Sequence, residues 1–510
     1  MAAMPGGDES AKNLAVAVEA AVRGGTGRTE GHKLHVRQRL ELLLDEGTWL
    51  EDGLLANALT PGFPADGVLT GTGLVDGRLV AVIAHDPRVK AGSWGALTVE
   101  KQIRILERAD RDLIPVVYLV DSAGGRLTEQ MGFYPGRRGA SRIFHLQVRL
   151  SGRVPQICCL FGPSAAGGAY MPAFTDWVGM VQGQASMYLA SPRIAEMTTG
   201  ERTSLEDMGG ARLHTTESGC ADEAFDDERT LIARARRLFD YLPSRWTERP
   251  HAREVAAPSE NGWDGVIPEN PREGYDVRAV IRRVVDAGSF FEVKAEWAKE
   301  IVVGLARLGG HVVGVVANQP DVRAGAIFVD SADKATRFIS LCDAFNIPLV
   351  FLHDVPGFMV GRAVERQGII RHGAKLIAAM ASAEVPKFSV ILRKAYAAGF
   401  YAMCAPGFEP RATIALPSAT IGAMAAQAAV NAVHARHVAE IEDAAARQEF
   451  VDARLVEYEA DVNLLRMASD LVVDEVVDPG DLRAALLGRL RACAGWQRGT
   501  PGRHHPVSPV

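Results

Sequence analysis

The two halves of this 510-residue chain repeat one another, and a tandem repeat constrains a fold more tightly than any single motif does. Four stretches of the first half recur in the second half at a nearly constant spacing of 231 to 233 positions. The matched pairs are residues 76–84 and 309–317, 114–121 and 347–354, 154–155 and 385–386, and 165–167 and 397–399. One spacing across four separate stretches predicts that a single α/β unit has been duplicated in tandem.

Each repeat has the residue pattern of a mixed α/β domain. An Asp-Gly pair at residues 76–77 and a Gly-Gly pair at residues 309–310 allow positive φ and predict β-hairpin turns. Runs of β-branched and apolar residues that are too short for helices follow in both repeats and alternate with helical stretches. Such runs predict parallel strands covered on both faces. We therefore expect an α/β protein of two tandem domains related by internal duplication.

A stretch rich in Pro, Glu, Arg and Asn at residues 244–275 has little apolar periodicity, which is typical of an exposed connection between domains. Ala-, Glu- and Arg-rich sequence at residues 425–470 predicts long helices, for which an interaction arm is one role. The expected organisation is a flexible tail at 1–30, a first domain at 31–250, a linker at 251–275, a second domain at 276–496 and a flexible tail at 497–510.

Composition and charge limit the classes of partner. A formal charge of -6 and a pI near 6.1 give no overall attraction to nucleic acid or to an anionic membrane. The six cysteines include no Cys-x-x-Cys pair, which disfavours a zinc site or a disulfide framework and favours a reducing cytoplasm. Since no run of about 18 uncharged apolar residues is present, neither a signal peptide nor a membrane span is expected.

Two small-residue turns carry the chemistry that the pattern suggests. In each repeat a predicted buried strand leads into Ala and Gly residues, near 165–168 and 397–399, and then into a helix. Small residues leave the N–H groups of a helix N-terminus approachable, with the positive end of the helix dipole behind them. Amides in this arrangement form an oxyanion hole, which stabilises a carbonyl oxygen as it gains charge. A turn needed only for packing is the alternative, and the presence of both turns at equivalent positions favours function.

Side-chain catalysts are weaker candidates. Ser122 and Ser164 stand in no Gly-x-Ser-x-Gly elbow and have no base that the sequence identifies. His353 and Asp354 end a predicted strand, where capping of the strand-to-loop turn is favoured over acid–base chemistry. No Walker A loop or Gly-x-Gly-x-x-Gly follows a predicted strand, so bound ATP or NAD is not indicated.

Several motifs are specific enough to indicate a family. They are DSAGGR at 121–126, GPSAAGGAYMPAFTD at 162–176, GGARLH at 209–214 with SG at 218–219, DVPGFMVG at 354–361, GIIRHGAK at 368–375 and VPK at 385–387. In these motifs the chain resembles, over nearly its whole length, the carboxyltransferase (beta) subunits of biotin-dependent acyl-CoA carboxylases, the propionyl-CoA and methylcrotonyl-CoA carboxylase group.

The resemblance implies two crotonase-like (ClpP/crotonase superfamily) domains, usually in a hexamer whose active sites lie between the N-domain of one subunit and the C-domain of another. It implies that the first turn faces an acyl-CoA thioester and that the second faces the ureido oxygen of biotin. Carboxybiotin would then give its carboxyl group to the alpha or vinylogous gamma carbon of the acyl-CoA through an enolate, with biotin itself as the base. The catalytic residues carried over are Ala166, Gly167, Gly168, Ala398 and Gly399.

The resemblance also implies further ligand contacts. Tyr401 falls where propionyl-type subunits carry a residue linked to acyl-chain choice, and Lys90 is a candidate phosphate contact whose alternative is a solvated surface lysine. The residues expected to bind acyl-CoA are Lys90, Gly92, Ser93, Ala123, Gly124, Gly125 and Tyr401, and those expected to bind biotin are Gly357, Phe358, Ala398 and Gly399.

Biotin is expected to arrive on another chain, because the sequence has neither an Ala/Val-Met-Lys-Met biotinylation site nor an ATP-grasp loop. The expected partner is a biotin carboxylase/biotin carboxyl carrier (alpha) subunit, and the expected assembly is a homo-oligomer, a hexamer. No metal is expected in this chain, which lacks the four-cysteine zinc ribbon of the bacterial acetyl-CoA subunit. The expected location is the cytoplasm, in fatty acid or branched-chain amino acid metabolism.

Departures from the family pattern keep other functions open. Ala397 stands where the methylcrotonyl type has Gly, Phe400 stands where it has Asn, and an Asn-Pro pair is missing from residues 457–467. The alternatives are the carboxyltransferase of a transcarboxylase or decarboxylase, and a biotin-independent crotonase-fold hydratase or thioesterase. A non-catalytic scaffold is a further alternative if Ala397 and Phe400 crowd the second turn.

Overall fold

The computed structural model describes residues 7–26, 33–461, 463–498 and 506–508. The described residues form two compact units, one of residues up to Arg249 together with 506–508 and the other of residues 250–498. Within each unit, strands and helices enclose buried hydrophobic clusters of that unit's own side chains.

The first unit is built on an eight-stranded mixed sheet. Its strands are β1 Leu50–Asp52, β2 Val68–Val75, β3 Arg78–His85, β4 Val116–Ser122, β5 Gln156–Ala165, β6 Trp177–Val181, β7 Ser186–Tyr188 and β8 Glu223–Phe225. Its helices are α1 Gly7–Arg23, α2 Val36–Leu43, α3 Ala96–Asp112, α4 Gln130–Phe133, α5 Ala140–Leu150, α6 Tyr170–Ala173, α7 Pro192–Thr199, α8 Leu205–Gly209, α9 Ala211–Thr216 and α10 Glu228–Phe239. Short 3₁₀ helices lie at Pro64–Gly67, Lys90–Gly92, Leu127–Glu129 and Ala166–Ala169.

The second unit is built on a sheet of the same size. Its strands are β9 Phe291–Val293, β10 Ile301–Leu308, β11 His311–Asn318, β12 Leu349–Val355, β13 Lys387–Tyr396, β14 Ala412–Ala415, β15 Thr420–Gly422 and β16 Glu475–Val476. Its helices are α11 Val277–Val284, α12 Val329–Ala344, α13 Arg362–Gln367, α14 Ile369–Ser382, α15 Ala397–Ala402, α16 Ala426–Glu440, α17 Ala444–Asp461, α18 Leu464–Ser469 and α19 Leu482–Ala492. The 3₁₀ helices of this unit lie at Arg323–Gly325, Pro406–Phe408 and Pro479–Asp481.

The two sheets have the same strand order. The first runs β1-β2-β3-β4-β5-β6-β8 with β7 paired to β5, and the second runs β9-β10-β11-β12-β13-β14-β16 with β15 paired to β13. The hairpins β2–β3 and β10–β11 are antiparallel, and the strands that follow are parallel. The predicted duplication and the α/β fold class are therefore confirmed, and the long helices predicted at residues 425–470 are present as α16, α17 and α18.

The predicted hairpin turns are present because their residues tolerate positive φ. Asp76 and Gly77 have φ of 48° and 77°, and Gly309 and Gly310 have φ of 60° and 80°. After each hairpin a helix leads to a wholly buried strand, β4 or β12, since parallel strands are covered on both faces.

Parts of the segments expected to be tails or linker pack against the units. Residues 7–23 form α1, and beyond it the Gly25 N–H donates to the buried carboxylate of Asp86. Near the other end of the chain, Val507 is buried and its N–H donates to the hydroxyl of Ser151. Within the expected linker, Trp263 packs against the core of the second unit. Such segments can pack against a unit through single backbone hydrogen bonds and isolated apolar side chains, even where their sequence has no apolar periodicity. Residues 1–6, 27–30, 499–505 and 509–510 of the expected tails lie outside the described residues.

Candidate active site

The first turn continues directly from a strand in the middle of the first sheet. β5 ends at Ala165, and the 3₁₀ helix Ala166–Ala169 leads into α6. Ala166 has a φ of 52°, a left-handed conformation that costs an alanine about 1–2 kcal/mol. Backbone conformations of this kind concentrate at functional sites. Ala166 and Gly167 are exposed, whereas Gly168 is buried.

The second turn has the same geometry. β13 ends at Tyr396, and α15 begins at Ala397, whose φ is also 52°. Ala397 and Ala398 are exposed, and Gly399 is buried. The same strain and the same order of exposure therefore occur at the end of the equivalent strand in both units.

The structural equivalence of the two turns is shifted by one residue from the equivalence that matching their sequences predicts. The last ladder pairs of the two strands are Ala165 with Tyr188 and Tyr396 with Gly422. These pairs make Ala166 equivalent to Ala397, Gly167 equivalent to Ala398 and Gly168 equivalent to Gly399, at a spacing of 231 positions. The sequence match of residues 165–167 to 397–399 is therefore wrong by one residue, because consecutive alanines do not mark where a strand ends.

The N–H groups at the start of each turn have no helical acceptor. Gly167 is the second residue of its 3₁₀ helix, and Ala398 and Gly399 are the second and third residues of α15, where a helix leaves its N–H groups unpaired. Outside helices and strands, neither Gly167 nor Gly399 donates to another backbone group of the described chain. The same is true of the Gly168 N–H group.

The glycines of the two turns are needed for different reasons. A Cβ on Gly167 would come no closer than 3.8 Å to its nearest neighbour, the Phe144 ring, so the fold itself leaves room for a side chain there. A Cβ on Gly399 would lie 2.8 Å from the Cα of Gly357 and from Cγ2 of Val355, so packing requires that glycine. The open space beside Gly167 is a cradle that a bound group could fill.

The structure brings the other predicted acyl-CoA residues of the first unit to the same place. Ala123 N–H donates to the Ala91 carbonyl over 2.9 Å, which joins the loop after β4 to the turn Lys90–Gly92. Gly124 has a φ of 90°, and a Cβ on it would lie 3.3 Å from the carbonyl oxygen of Ala165. The loop of residues 123–125 therefore lies between the turn at 90–93 and the end of β5.

Side chains in this region are held by local contacts. Ser93 is buried, and its hydroxyl donates to the Lys90 carbonyl over 2.6 Å. Lys90 is exposed, with Nζ 5.1 Å from the centre of the Phe63 ring, a cation–π distance. Gly125 is exposed and pairs with Trp94 in a single β-bridge. Lys90 is thus free at its ammonium group to meet an anionic ligand.

The predicted biotin residues of the second unit also lie together. Gly357 has a φ of 134° and a backbone in close contact with Gly399, as described above. Gly357 accepts a hydrogen bond from Ile327 N–H over 3.1 Å, and the half-buried Phe358 pairs with Ile327 in a β-bridge. The second turn offers N–H donors on an exposed face, which is the donor set that a ureido carbonyl oxygen requires.

The serines near the turns are used within the fold. The buried hydroxyl of Ser164 donates to the Gly168 carbonyl over 2.9 Å, and the buried Ser122 hydroxyl accepts from Gly124 N–H over 3.3 Å. Both contacts fix turns.

His353 is a buried neutral side chain. Burial lowers its pKa to about 3, and its Nε2 lies 2.9 Å from the hydroxyl of Ser389. The neighbouring Asp354 is bound by Arg393 and Lys394. Both side chains have structural contacts near the end of β12, through packing and ion pairing and not through the turn capping favoured from the sequence.

The two aromatic residues of α15 point in different directions. Tyr401 is 54% exposed, and its equivalent in the first unit, Tyr170, is 46% exposed. Phe400 is buried in a core cluster with its ring 5.6 Å from that of His353. The bulk of Phe400 is therefore taken up by the core of the unit, and it does not crowd the exposed face of the turn.

An aromatic cluster beside the first turn was not predicted from the sequence. The rings of Phe144, Tyr170 and Phe174 lie 5.9–6.4 Å apart, and Phe144 is the neighbour nearest to the open side of Gly167. Tyr170 and Phe174 share one helical face four residues apart, which is a recognisable signal. Phe144 belongs to α5, whose amphipathic pattern is that of any packed helix, so its place beside the turn has no local signature.

Other features of the described residues lie away from the turns. A cavity of about 460 Å³ in the first unit is lined by none of the predicted site residues; its lining is Asp52, Gly53, Thr70, Lys101, Arg104, Ile105, Glu107, Arg108 and Arg111. Within the described ranges, His, Cys, Asp and Glu side chains form no group of three with metal-site geometry. None of the helices over those ranges has the length and apolar character needed to cross a bilayer.

Comparisons with known proteins match the whole of this architecture. The model of the family "Carboxyl transferase domain" matches residues 28–507. The chain is 53% identical over 483 residues to an uncharacterized carboxylase, YngE, of Bacillus subtilis (strain 168), covering 94% of each chain. It is 38% identical over 489 residues to the carboxyltransferase subunit of propionyl-CoA carboxylase of Haloferax mediterranei, again covering 94% of each.

A solved structure extends the likeness to three dimensions. It is the crystal structure of transcarboxylase 12S, a hexamer with methylmalonyl-coenzyme A and methylmalonic acid bound. The two chains superpose with a TM-score of 0.92 at 34% sequence identity, over 100% of each.

Proposed function

The chain belongs to the carboxyl transferase domain family and transfers a carboxyl group between biotin and an acyl-CoA, and we propose that its two small-residue turns divide this reaction between them. The turn of Ala166, Gly167 and Gly168 would hold the thioester oxygen, and the turn of Ala398 and Gly399 would hold the ureido oxygen of biotin. The observation that carries the proposal is the repeated turn itself, with a strained alanine, exposed small residues and N–H groups that have no helical acceptor.

The chain's own contribution is to place donors where charge develops. Removal of the α proton moves negative charge onto the thioester oxygen, which the N–H of Gly167 would stabilise. Donors held by a strand on one side and a helix on the other need no rearrangement during the reaction, and one such donor accounts for about 3–4 kcal/mol of barrier. Biotin, when bound, supplies the carboxyl group and the nitrogen that takes the α proton. No side-chain base is therefore required, and the neutral, buried His353 is consistent with that.

The remaining predicted residues are proposed to hold the two ligands. Lys90, Gly92 and Ser93 with the loop of Ala123, Gly124 and Gly125 would bind the CoA portion, because they surround the first turn and carry an exposed ammonium group. Gly357 and Phe358 would line the biotin side, because Gly357 packs on the second turn. Tyr401 would contact the acyl chain, because its ring is exposed.

We propose that biotin arrives on a biotin carboxylase/biotin carboxyl carrier subunit and that the chain works as a homo-oligomer. Support for a hexamer comes from the likeness to the hexameric transcarboxylase 12S. A cytoplasmic location is supported by six cysteines that form no disulfide, four of them buried.

The proposal is tested with the purified chain, its biotin-bearing partner, ATP, bicarbonate and a panel of acyl-CoA thioesters. Labelled bicarbonate should enter at least one thioester only when both proteins are present. Turnover of an enoyl- or acyl-CoA by the chain alone would instead indicate a biotin-independent hydratase or thioesterase, and incorporation into no thioester would contradict the carboxylase direction.

The transcarboxylase or decarboxylase direction is the second candidate, and the likeness to transcarboxylase 12S favours keeping it. The same turns serve both directions, because the enolate is common to both. Loss of the carboxyl group from a carboxylated thioester to the biotin-bearing partner, at a rate above that of its formation, would identify this direction.

A further inference from the structure

Each unit contains a buried ion cluster centred on an aspartate of the strand next to the one that leads into its small-residue turn. Asp121 near the end of β4 and Asp354 near the end of β12 occupy equivalent positions 233 residues apart, and they are 1% and 0% exposed. Each carboxylate is bound by one lysine and one arginine. The partners of Asp121 are Lys33 at 3.1 Å and Arg39 at 3.1 Å, and those of Asp354 are Lys394 at 3.3 Å and Arg393 at 2.9 Å.

The cations of the two clusters come from different parts of the chain. In the first unit they lie on the segment before α2 and in α2 itself, 88 and 82 positions from Asp121. In the second unit they are adjacent residues of β13. The strand registers make Gly162 of the first unit equivalent to Arg393 of the second. A Cβ on Gly162 would overlap the carboxylate of Asp121 and lie 2.8 Å from Nζ of Lys33. Because Gly162 has no side chain, the Asp121 carboxylate and the ammonium group of Lys33 can occupy this space.

Both clusters lie where the two central strands separate. The ladder between β4 and β5 shifts register between Val120 and Ser122, and the ladder between β12 and β13 shifts between His353 and Val355. Asp121 and Asp354 are the residues inside these two irregularities. Such bulges re-aim a strand and recur beside active sites. Beyond the irregularity one strand continues into the loop of 123–125 or 356–358, and the other continues into the small-residue turn.

The backbone of each aspartate also sets the next layer of the site. A Cβ on Gly92 would overlap the Asp121 carbonyl oxygen, and a Cβ on Gly325 would lie 2.6 Å from the Asp354 carbonyl oxygen. The turns at Lys90–Gly92 and Arg323–Gly325 therefore rest directly on the two aspartates. A displaced aspartate would move the loop, the turn and the strand end together.

Stability alone gives no reason to build the cluster twice from unrelated cations. Buried ion pairs are often no more stabilising than apolar residues of the same volume, because both charges must be desolvated. What the cluster adds is a fixed position for the strand end, and a shift of about 1 Å in a reacting group can cost about 100-fold in rate.

We propose that Lys33 and Lys394 are positioning residues, Lys33 for the acyl-CoA side of the reaction and Lys394 for the biotin side. Each neutralises the aspartate inside the irregularity from which its loop and turn diverge. The inference rests on the proposed function, in that the two turns must hold different ligands.

The test compares Lys33→Met with Lys394→Met in the full-length chain. The two lysines are matched in exposure, at 13% and 11%, and each aspartate keeps its arginine in the variant; Arg39 also binds Glu228, whereas the other acceptors of Arg393 are backbone carbonyls. With the biotin-bearing partner present, Lys33→Met should lower kcat/KM for the acyl-CoA about 10-fold or more and leave the KM for the partner unchanged. Lys394→Met should lower kcat/KM for the biotin-bearing partner and leave the KM for the acyl-CoA unchanged. The conservative variants Lys33→Arg and Lys394→Arg should keep activity.

The outcomes separate this inference from the proposed function. A wild-type chain without carboxyl transfer would end the proposed function. If the wild type is active, the positioning role would be overturned by either of two results. In one, each variant changes the kinetic constants for the acyl-CoA and for the biotin-bearing partner equally. In the other, activity falls only in proportion to a lower Tm. The same holds if neither variant has an effect or if the two patterns are exchanged.

Discussion

At the scale of single residues, glycines that look alike in the sequence do different things. Gly167 faces open space, whereas Gly399 is packed against Gly357 and Val355. The sequence predicted both as members of oxyanion holes, and it held no signal for this difference.

The difference predicts opposite results for two alanine substitutions. Gly167→Ala should leave the Tm within about 1 °C of wild type and lower kcat/KM for acyl-CoA about 100-fold, because its methyl group fills the space beside the thioester oxygen. Gly399→Ala should lower the free energy of unfolding by about 1–3 kcal/mol through overpacking. Thermal unfolding and steady-state kinetics of both variants check this; full activity of Gly167→Ala would remove the first turn from the reaction.

His353 predicts a pH dependence of stability. Its pKa is near 6.5 in the unfolded chain and about 3 in the fold because of burial, so between those values the unfolded chain binds more protons. Stability contributed by the neutral form is full above pH 6.5 and is lost as the pH falls. Between pH 7 and pH 5 the loss should be about 2 kcal/mol.

Denaturant unfolding at both pH values measures this loss, with His353→Gln as the variant. The variant keeps a polar group near Ser389 and cannot titrate, so it should lose about 2 kcal/mol less than wild type over that interval. An equal loss in both proteins would place the acid sensitivity elsewhere. His85, whose pKa burial lowers to about 4, is the next candidate.

At the scale of elements, the close approach of a turn to a strand end is what requires glycine. Gly92 and Gly183 have nearly equal φ, 64° and 66°, but a Cβ on Gly92 would overlap the Asp121 carbonyl oxygen and one on Gly183 would meet nothing within 4 Å. The two positions form a matched pair that separates backbone strain from overlap.

Alanine at each of these positions should therefore have a different cost. Gly183→Ala should lower the free energy of unfolding by about 1–2 kcal/mol, the cost of left-handed alanine. Gly92→Ala should lower it by more, and it should raise the KM for acyl-CoA because the turn of Lys90–Gly92 must move. Denaturant unfolding and kinetics of both variants give the comparison, and equal losses would show that the turn yields without moving Asp121.

At the scale of the whole molecule, the duplication predicts a division of labour that can be observed without turnover. Hydrogen exchange of the backbone near Gly167 should slow on adding an acyl-CoA, while exchange near Ala398 and Gly399 should slow on adding the biotin-bearing partner. The physical reason is that each ligand oxygen accepts from the N–H groups of one turn. Protection of both turns by one ligand, or exchanged protection, would contradict the assignment.

Much of the fold could be predicted from the sequence, because its determinants are local. The hairpin turns at 76–77 and 309–310 are predicted by residues that tolerate positive φ, and the buried strand after each hairpin is predicted by an apolar run of limited length. The register of the turns could not be predicted in the same way. Alignment of identical letters placed Ala165 opposite Ala397, and only the ladder pairs of β5 and β13 showed that Ala166 holds that position.

The sequence by itself determined that one α/β unit occurs twice and that each copy ends a buried strand in a small-residue turn, since these properties depend on neighbouring residues. The tertiary structure alone decided that Gly167 has open space, that Phe144 walls it, and that Lys33 binds a carboxylate 88 positions away. The physical reason is that packing and ion pairing depend on distances in space, and segments far apart in the chain carry no local mark of meeting.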